Sequence, residues 1–250
     1  MSKFKKPLFF SLALLPVAIV GGYLAALVAI SSMEPSALET AITQIGSKQL
    51  IAVISTVQPV ILALISGFFG YILAEKVGLM RPFGLEKSKV LKTAIISLIG
   101  GALFSLDAWT FAKWIPELRY DTAGSFDAVT WAASILYGGI VEEVMLRLLF
   151  MSLLSFLAWK LFFRKEQTIP TGVFIGANII AAILFAAGHL PATVQAFGGL
   201  TPMLLFRCFL MNGAFGLIFG RLYRKYGIQY AMLAHMLFHV VSKTVWMIAF

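Results

Sequence analysis

Runs of about 20 apolar residues recur along this chain, and nothing else in the sequence constrains its fold as much. A run of that length is what a helix needs to cross roughly 30 Å of hydrocarbon. Such runs cover residues 7–30, 50–74, 90–112, 172–189, 202–219 and 228–250. A further apolar segment, 128–163, is too long for one straight crossing, since at 1.5 Å per residue it would reach about 54 Å. It must tilt, leave the bilayer or break, and Gly138-Gly139 is the natural breaking point. The spans number seven, or eight if that segment divides. Charged residues make up 12% of the chain and hydrophobic ones 60%, whereas soluble domains carry roughly 25% charged residues. A single soluble domain is therefore excluded, and so is disorder. The expectation is an all-α, polytopic membrane helical bundle of about 7–8 transmembrane helices enclosing a polar cavity. It forms a single integral membrane domain over residues 1–250.

Lys3, Lys5 and Lys6 precede the first apolar run, as in a secretory signal peptide. The run is about twice the usual signal length, which favours an uncleaved first span. Net charge is +9. The basic residues are too scattered for a nucleic-acid groove, so no nucleic-acid partner is expected. They do collect in alternate loops: Lys3, Lys5, Lys6, Lys76, Arg81, Lys87, Lys89, Lys92, Lys160, Arg164, Lys165, Arg221, Arg224 and Lys225 all fall on one side. The opposite loops hold Lys48, Lys113 and Arg119, with Glu34, Glu39, Glu117, Asp121 and Asp127. This bias predicts a cytoplasmic N-terminus and an external C-terminus. Residues 31–48 read as a polar outer loop. Residues 114–127 read as a short interfacial piece around Trp114, Ile115 and Leu118.

One cysteine, Cys208, excludes a disulfide framework within the chain and a cysteine-based structural zinc site. The polar residues at membrane depth are the informative ones, because a charge at a helix centre costs roughly 2.5–3.5 kcal/mol on insertion scales. Glu142, Glu143 and Arg147 sit midway along the long apolar segment. Glu143 and Arg147 are four apart, so on a helix they share a face and can pair. Glu142 is rotated by about 100° from Glu143, is the less neutralised carboxylate, and is a candidate general base. All three histidines fall on late spans: His189 after Phe185, then His235 and His239, four apart on one helical face. The zincin pattern is absent, since no Glu follows His235. Converged in one cavity, the carboxylates and imidazoles would form a hydrolytic constellation. The same groups could instead relay protons in a transporter or channel, or line the cavity of a non-catalytic membrane partner or immunity protein. No repeated half or paired broken helices support transport. Of the remaining polar residues, Asp107 reads as a lone contact, Asn178 and Asn212 as interhelical hydrogen-bonders, and Arg207 and Lys243 as snorkelling outwards. Gly213, Gly216 and Gly220 read as close-packing positions, and the Phe and Met residues as filler.

These residues carry a resemblance. Glu142-Glu143-x-x-x-Arg147, Phe185-x-x-x-His189 and His235-x-x-x-His239 stand in the order of the CAAX-protease and bacteriocin-processing (Abi) family of intramembrane proteases. The run Gly216 to Ala234 resembles that family's approach to its last motif. The resemblance covers a catalytic core at about 128–241. Leu146 and Leu148 depart from the aromatic residue and glycine common around the arginine, and His239 stands where asparagine is common. The resemblance implies a membrane-embedded endopeptidase of a bacterial cell membrane, acting on a peptide or membrane-protein substrate. Glu142 and His189 would activate water, while His235 and His239 would stabilise the oxyanion. No cofactor is certain; a divalent metal such as zinc, if present, would be held by Glu142, His189, His235 and His239. Chemistry without a metal, from Glu142 as base and histidine donors, would suffice as well.

Overall fold

The protein is seen in a computed structural model that describes residues 4–119 and 127–249. Every described element is a helix or turn, and among the described residues there is no strand. Hydrocarbon offers the backbone no hydrogen bonds, so an apolar run must satisfy its own N–H and C=O groups by coiling. Six helical spans are long and apolar enough to cross a membrane: Lys5–Ser31, Lys48–Lys76, Lys87–Phe111, Thr171–Phe197, Pro202–Tyr226 and Ile228–Ile248. The central helical run, expected as a further span, is not among these six.

The first span is two helices, α1 (Lys5–Ala13) and α2 (Leu15–Ser31), jointed at Leu14 just before Pro16. Residues 31–48, expected as a loop, contain a helix instead, α3 (Pro35–Ile45). Its apolar side, with Leu38, Ala41, Ile42 and Ile45, packs on Ile51, Ala52 and the end of α2. Next comes α4 (Lys48–Lys76), whose first turn is capped by Ser47 Oγ accepting from the Leu50 amide at 3.2 Å. Its sides show how a membrane bundle sorts residues. Val53, Ile54, Val57, Ile61 and Ile65 point outwards, while Ala52, Ala63, Gly67, Gly70 and Ala74 are buried. Lipid tails accept the bulky side chains, and the small ones let neighbouring helices approach closely. The third span is α5 (Lys87–Ser105) with α6 (Asp107–Phe111).

A 3₁₀ turn over Pro116–Arg119 follows. Ile115 and Leu118 are buried against Phe111 and Leu204, and Trp114 is exposed. The remainder of the interfacial piece expected at 114–127, including Asp121, lies outside the described residues, as does Lys3.

The long segment is unbroken over 128–162. It starts as α7 (Ala128–Ala133), capped by Asp127 accepting from the Thr130 amide at 2.8 Å. That bond holds the Asp127 carboxyl below its ordinary range. The helix then widens into π winding over Ser134–Glu142 and Val144–Met151, and tightens into α8 (Ser152–Phe162). The expected break at Gly138-Gly139 does not occur. The glycines serve close approach instead: a Cβ on Gly139 would lie 2.4 Å from Met236 Cγ, against the last helix.

α9 (Thr171–Gly188) and α10 (Leu190–Phe197) follow one another across a turn at His189 and form one span, Thr171–Phe197. His189 is therefore the joint of a longer span, not the end of a short one. α11 (Pro202–Cys208), a π turn at Phe209–Gly213 and α12 (Ala214–Tyr226) form the next span. Gly227, at φ +113°, turns the chain directly into α13 (Ile228–Ala249). α13 lies along α5 and against the π-wound segment, which α2 and α4 flank on other sides. The bundle thereby places residues 138–147 of the central helix beside 235–239 of the last.

Asn178 bonds across to the Leu217 carbonyl at 3.0 Å, as expected. Asn212 instead donates to Cys208 O of its own span at 3.0 Å, because the π turn leaves that carbonyl within reach. Gly216 and Gly220 meet Ala182 and Asn178 closely, whereas Gly213 has only an ordinary contact.

Candidate active site

The acid–base cluster is anchored by Glu143 and Arg147, both fully buried. Arg147 Nη1 lies 3.0 Å from Glu143 Oε1. Its N–H is not aimed at that oxygen, so the contact is Coulombic, without an aligned hydrogen bond. Arg147 Nη2 donates to the Gly216 carbonyl of α12 at 3.0 Å. The guanidinium sits over the Phe185 ring at 4.6 Å and near the Phe219 ring at 5.7 Å. Those rings supply the cation with its nearest apolar cover. Both had read as filler; only Phe185 had a signal in the sequence, as the first residue of the motif ending at His189.

His235 donates from Nδ1 to Glu143 Oε1 at 2.9 Å. One carboxylate oxygen therefore serves both the imidazole and the arginine. The bond fixes the ring's tautomer and turns Nε2 into its working atom. The His235 ring stacks on Phe219 at 4.5 Å and on His239 at 4.6 Å. The four-residue spacing brings both imidazoles to one side of α13, as read from the sequence.

Glu142 is half-buried, unlike its neighbour. Its Oε2 and the His239 Nε2 both lie within 4 Å of the point that a Cβ on Gly138 would occupy. The imidazole atom is only 2.8 Å from that point, so any side chain at 138 would displace it. Gly138 is thus a site residue, and its role could not be read from sequence without knowing which helix it meets.

His189 joins through Phe185, whose ring is 4.7 Å from the His189 ring and 5.8 Å from that of His235. Its Nδ1 donates to the Phe185 carbonyl at 2.8 Å, which leaves Nε2 as the proton acceptor. His189 also lines a cavity of about 320 Å³ together with Asn212, Ser242, Lys243 and Arg207. The six residues thus form a connected series, from Glu142 through His239, His235 with Glu143 and Arg147, and Phe185 to His189. Glu142 and His189 stand at its two ends.

The four candidate metal ligands do not converge. Among the described residues, no three His, Cys, Asp or Glu side chains are grouped to hold a metal ion. His235 Nδ1 is committed to Glu143, and Phe185 contacts both His189 and His235. The cluster does keep unmet hydrogen-bonding capacity: Glu143 Oε2, Arg147 Nε and Nη1, and His239 Nδ1 are buried without hydrogen-bond partners. Buried polar atoms are ordinarily paired, and four unpaired ones lie together here.

Two further expectations change. Asp107 is not a lone contact: Arg207 Nε donates to its two oxygens at 2.9 and 3.0 Å, and Arg207 Nη2 pairs with Oδ2 as well. Arg207 therefore turns inwards and does not snorkel, since a fully buried carboxylate is a stronger partner than the interface. Lys243 lines the same cavity.

Residues 124–241 match the family model described as type II CAAX prenyl endopeptidase Rce1-like, and all six cluster residues fall inside that segment. No curated protein and no solved structure matches the chain. The bundle of apolar helices makes this an integral membrane protein, and its segment 124–241 is similar to the Rce1-like type II CAAX prenyl endopeptidases.

Proposed function

We propose that the chain hydrolyses a peptide bond inside the membrane, with Glu142 and His189 activating water and the buried cluster holding the substrate. The observation that supports this best is that Glu142 Oε2 and His239 Nε2 both lie within 4 Å of one point beside Gly138, next to a cluster with unpaired polar atoms. Glu142 is the carboxylate that makes no ion pair or hydrogen bond with Arg147 or His235, so we assign it the proton. In the proposed step, the water oxygen attacks the scissile carbonyl carbon and its proton passes to Glu142. An imidazole N–H of His239 stabilises the oxyanion, and His235 stacks behind that ring. The C–N bond then breaks, and Glu142 returns the proton to the departing amine. His189, through Nε2, holds water or the substrate on the side of the 320 Å³ cavity. Glu143 and Arg147 position His235 and take no proton. Every step is assigned to groups of the chain itself.

The substrate class is a peptide or a membrane-protein segment. Mass spectrometry of membranes carrying the wild-type or the Glu142→Gln protein tests this reading. New peptide termini should appear with the wild type only; identical termini in both would remove Glu142 from the reaction.

The proposed orientation has the N-terminus cytoplasmic and the C-terminus outside, from the loop charges. Cysteines placed at Ser36 and Lys87 in a Cys208→Ser background should label from opposite sides, Ser36 from outside. Ser36 labelled from the cytoplasmic side would invert the topology.

A further inference from the structure

A large cavity lies away from the acid–base cluster, at the end of the bundle where the basic loops gather. It measures about 1260 Å³ and opens between α1, α4 and the loop that follows α4. This exceeds the roughly 300–1,000 Å³ of ordinary small-ligand pockets, so its occupant is bulky. Phe9, Phe10, Leu14, Phe83 and Met232 line it with apolar surface. Phe9 is 76% exposed and Phe83 64% exposed. Three cations, Lys5, Lys6 and Arg81, line it too, against a single carboxylate, Glu75. None of the three forms an ion pair among the described residues.

An apolar trough with cations at a membrane-facing helix end matches an amphiphile with an anionic head and hydrocarbon tails. Basic pockets between membrane helices on the cytoplasmic side are suited to such headgroups. Arg81 also lines a second, polar cavity of about 360 Å³ with Lys225 and the Lys89–Glu86 ion pair, which leaves Arg81 and Lys225 as its net positive charge. We infer that this trough is a binding site for one anionic phospholipid, its phosphate held by Lys5, Lys6 and Arg81 and its acyl chains laid over Phe9, Phe10 and Met232. The site is independent of the proposed hydrolysis.

The full-length protein is reconstituted in vesicles of equal phosphatidylglycerol and phosphatidylcholine, extracted in mild detergent, and its retained lipid counted by native mass spectrometry. One phosphatidylglycerol should be retained at least tenfold over phosphatidylcholine. The variant Lys5→Gln/Lys6→Gln/Arg81→Gln should lose that preference. The variant Arg164→Gln/Lys165→Gln, which removes cations elsewhere at the same end, should keep it. If the triple variant does not fold, the exposed single variant Lys6→Gln carries the test, with an expected threefold loss. Equal retention of the two lipids, an unchanged preference in the cation variants, or competition by millimolar glycerol phosphate as strong as that by lipid would overturn the site. So would displacement of the lipid by a cleaved peptide, which would make the trough part of the substrate path.

Discussion

The bundle buries two arginine–carboxylate pairs, and they are built differently. Asp107 and Arg207 meet across α6 and α11 as a closed fork, with Nε and Nη2 both directed at the carboxylate. Glu143 and Arg147 lie on one helix, and their contact is unaligned. There, Glu143 Oε1 is shared with His235 while Oε2 has no hydrogen-bond partner. The first pair spends its capacity on itself and joins helices at the wall of the cavity that His189 lines. The second holds capacity in reserve next to two imidazoles and another carboxylate. In hydrocarbon, where unmet polar groups are costly, reserve of that kind separates a site from a brace.

The contrast breaks most sharply under paired replacement. Arg147→Ala alone should destabilise the protein by about 3–5 kcal/mol, because it strands a buried carboxylate. Glu143→Leu with Arg147→Met should recover much of that stability, yet leave peptide cleavage undetectable. Asp107→Leu with Arg207→Met should be close to neutral for stability and retain cleavage. Thermal melting and cleavage assays on the same preparations check all three variants. Cleavage lost equally in both double variants would erase the distinction.

A smaller effect sharpens the geometry within the cluster. Gly138→Ala should lower cleavage about tenfold or more while costing about 1–3 kcal/mol, since its methyl displaces His239. A melting curve and a rate measured together separate the two outcomes. Wild-type cleavage in this variant would show that the place of His239 beside Glu142 does not matter. The mildest change is His239→Asn, which keeps a hydrogen-bond donor and should retain cleavage within about tenfold, a loss of at most about 1.4 kcal/mol in the barrier. Complete loss would assign His239 a task that only an imidazole performs.

How far these features could be read from the sequence depended on the distance over which each is set. Apolar runs announce helices directly, and spacings of four placed Glu143 with Arg147 and His235 with His239, because both relations lie within one helix. α3 went unseen because Ser36, Glu39, Thr40 and Gln44 give it a loop-like composition, while its apolar side is completed by Ile51 and α2. The span read as 172–189 is longer than its apolar run, because Pro191 does not end it. Proline is tolerated in a helix's first turn, and here the span continues past it to Phe197. The π winding around Glu143 left no sequence mark that could be read. The Asp107–Arg207 fork and the His235–Glu143 bond join residues about a hundred positions apart. No periodicity within a helix reports such contacts.

The central claim is that Glu142 is the base of the half-satisfied cluster. Its most direct test is the single-turnover cleavage rate of purified Glu142→Gln beside wild type, with melting curves on both. A general base contributes about 10²–10⁴-fold, so the predicted result is a loss of at least about a hundredfold with an unchanged melting temperature. A rate within threefold of wild type, at equal stability, would contradict the account.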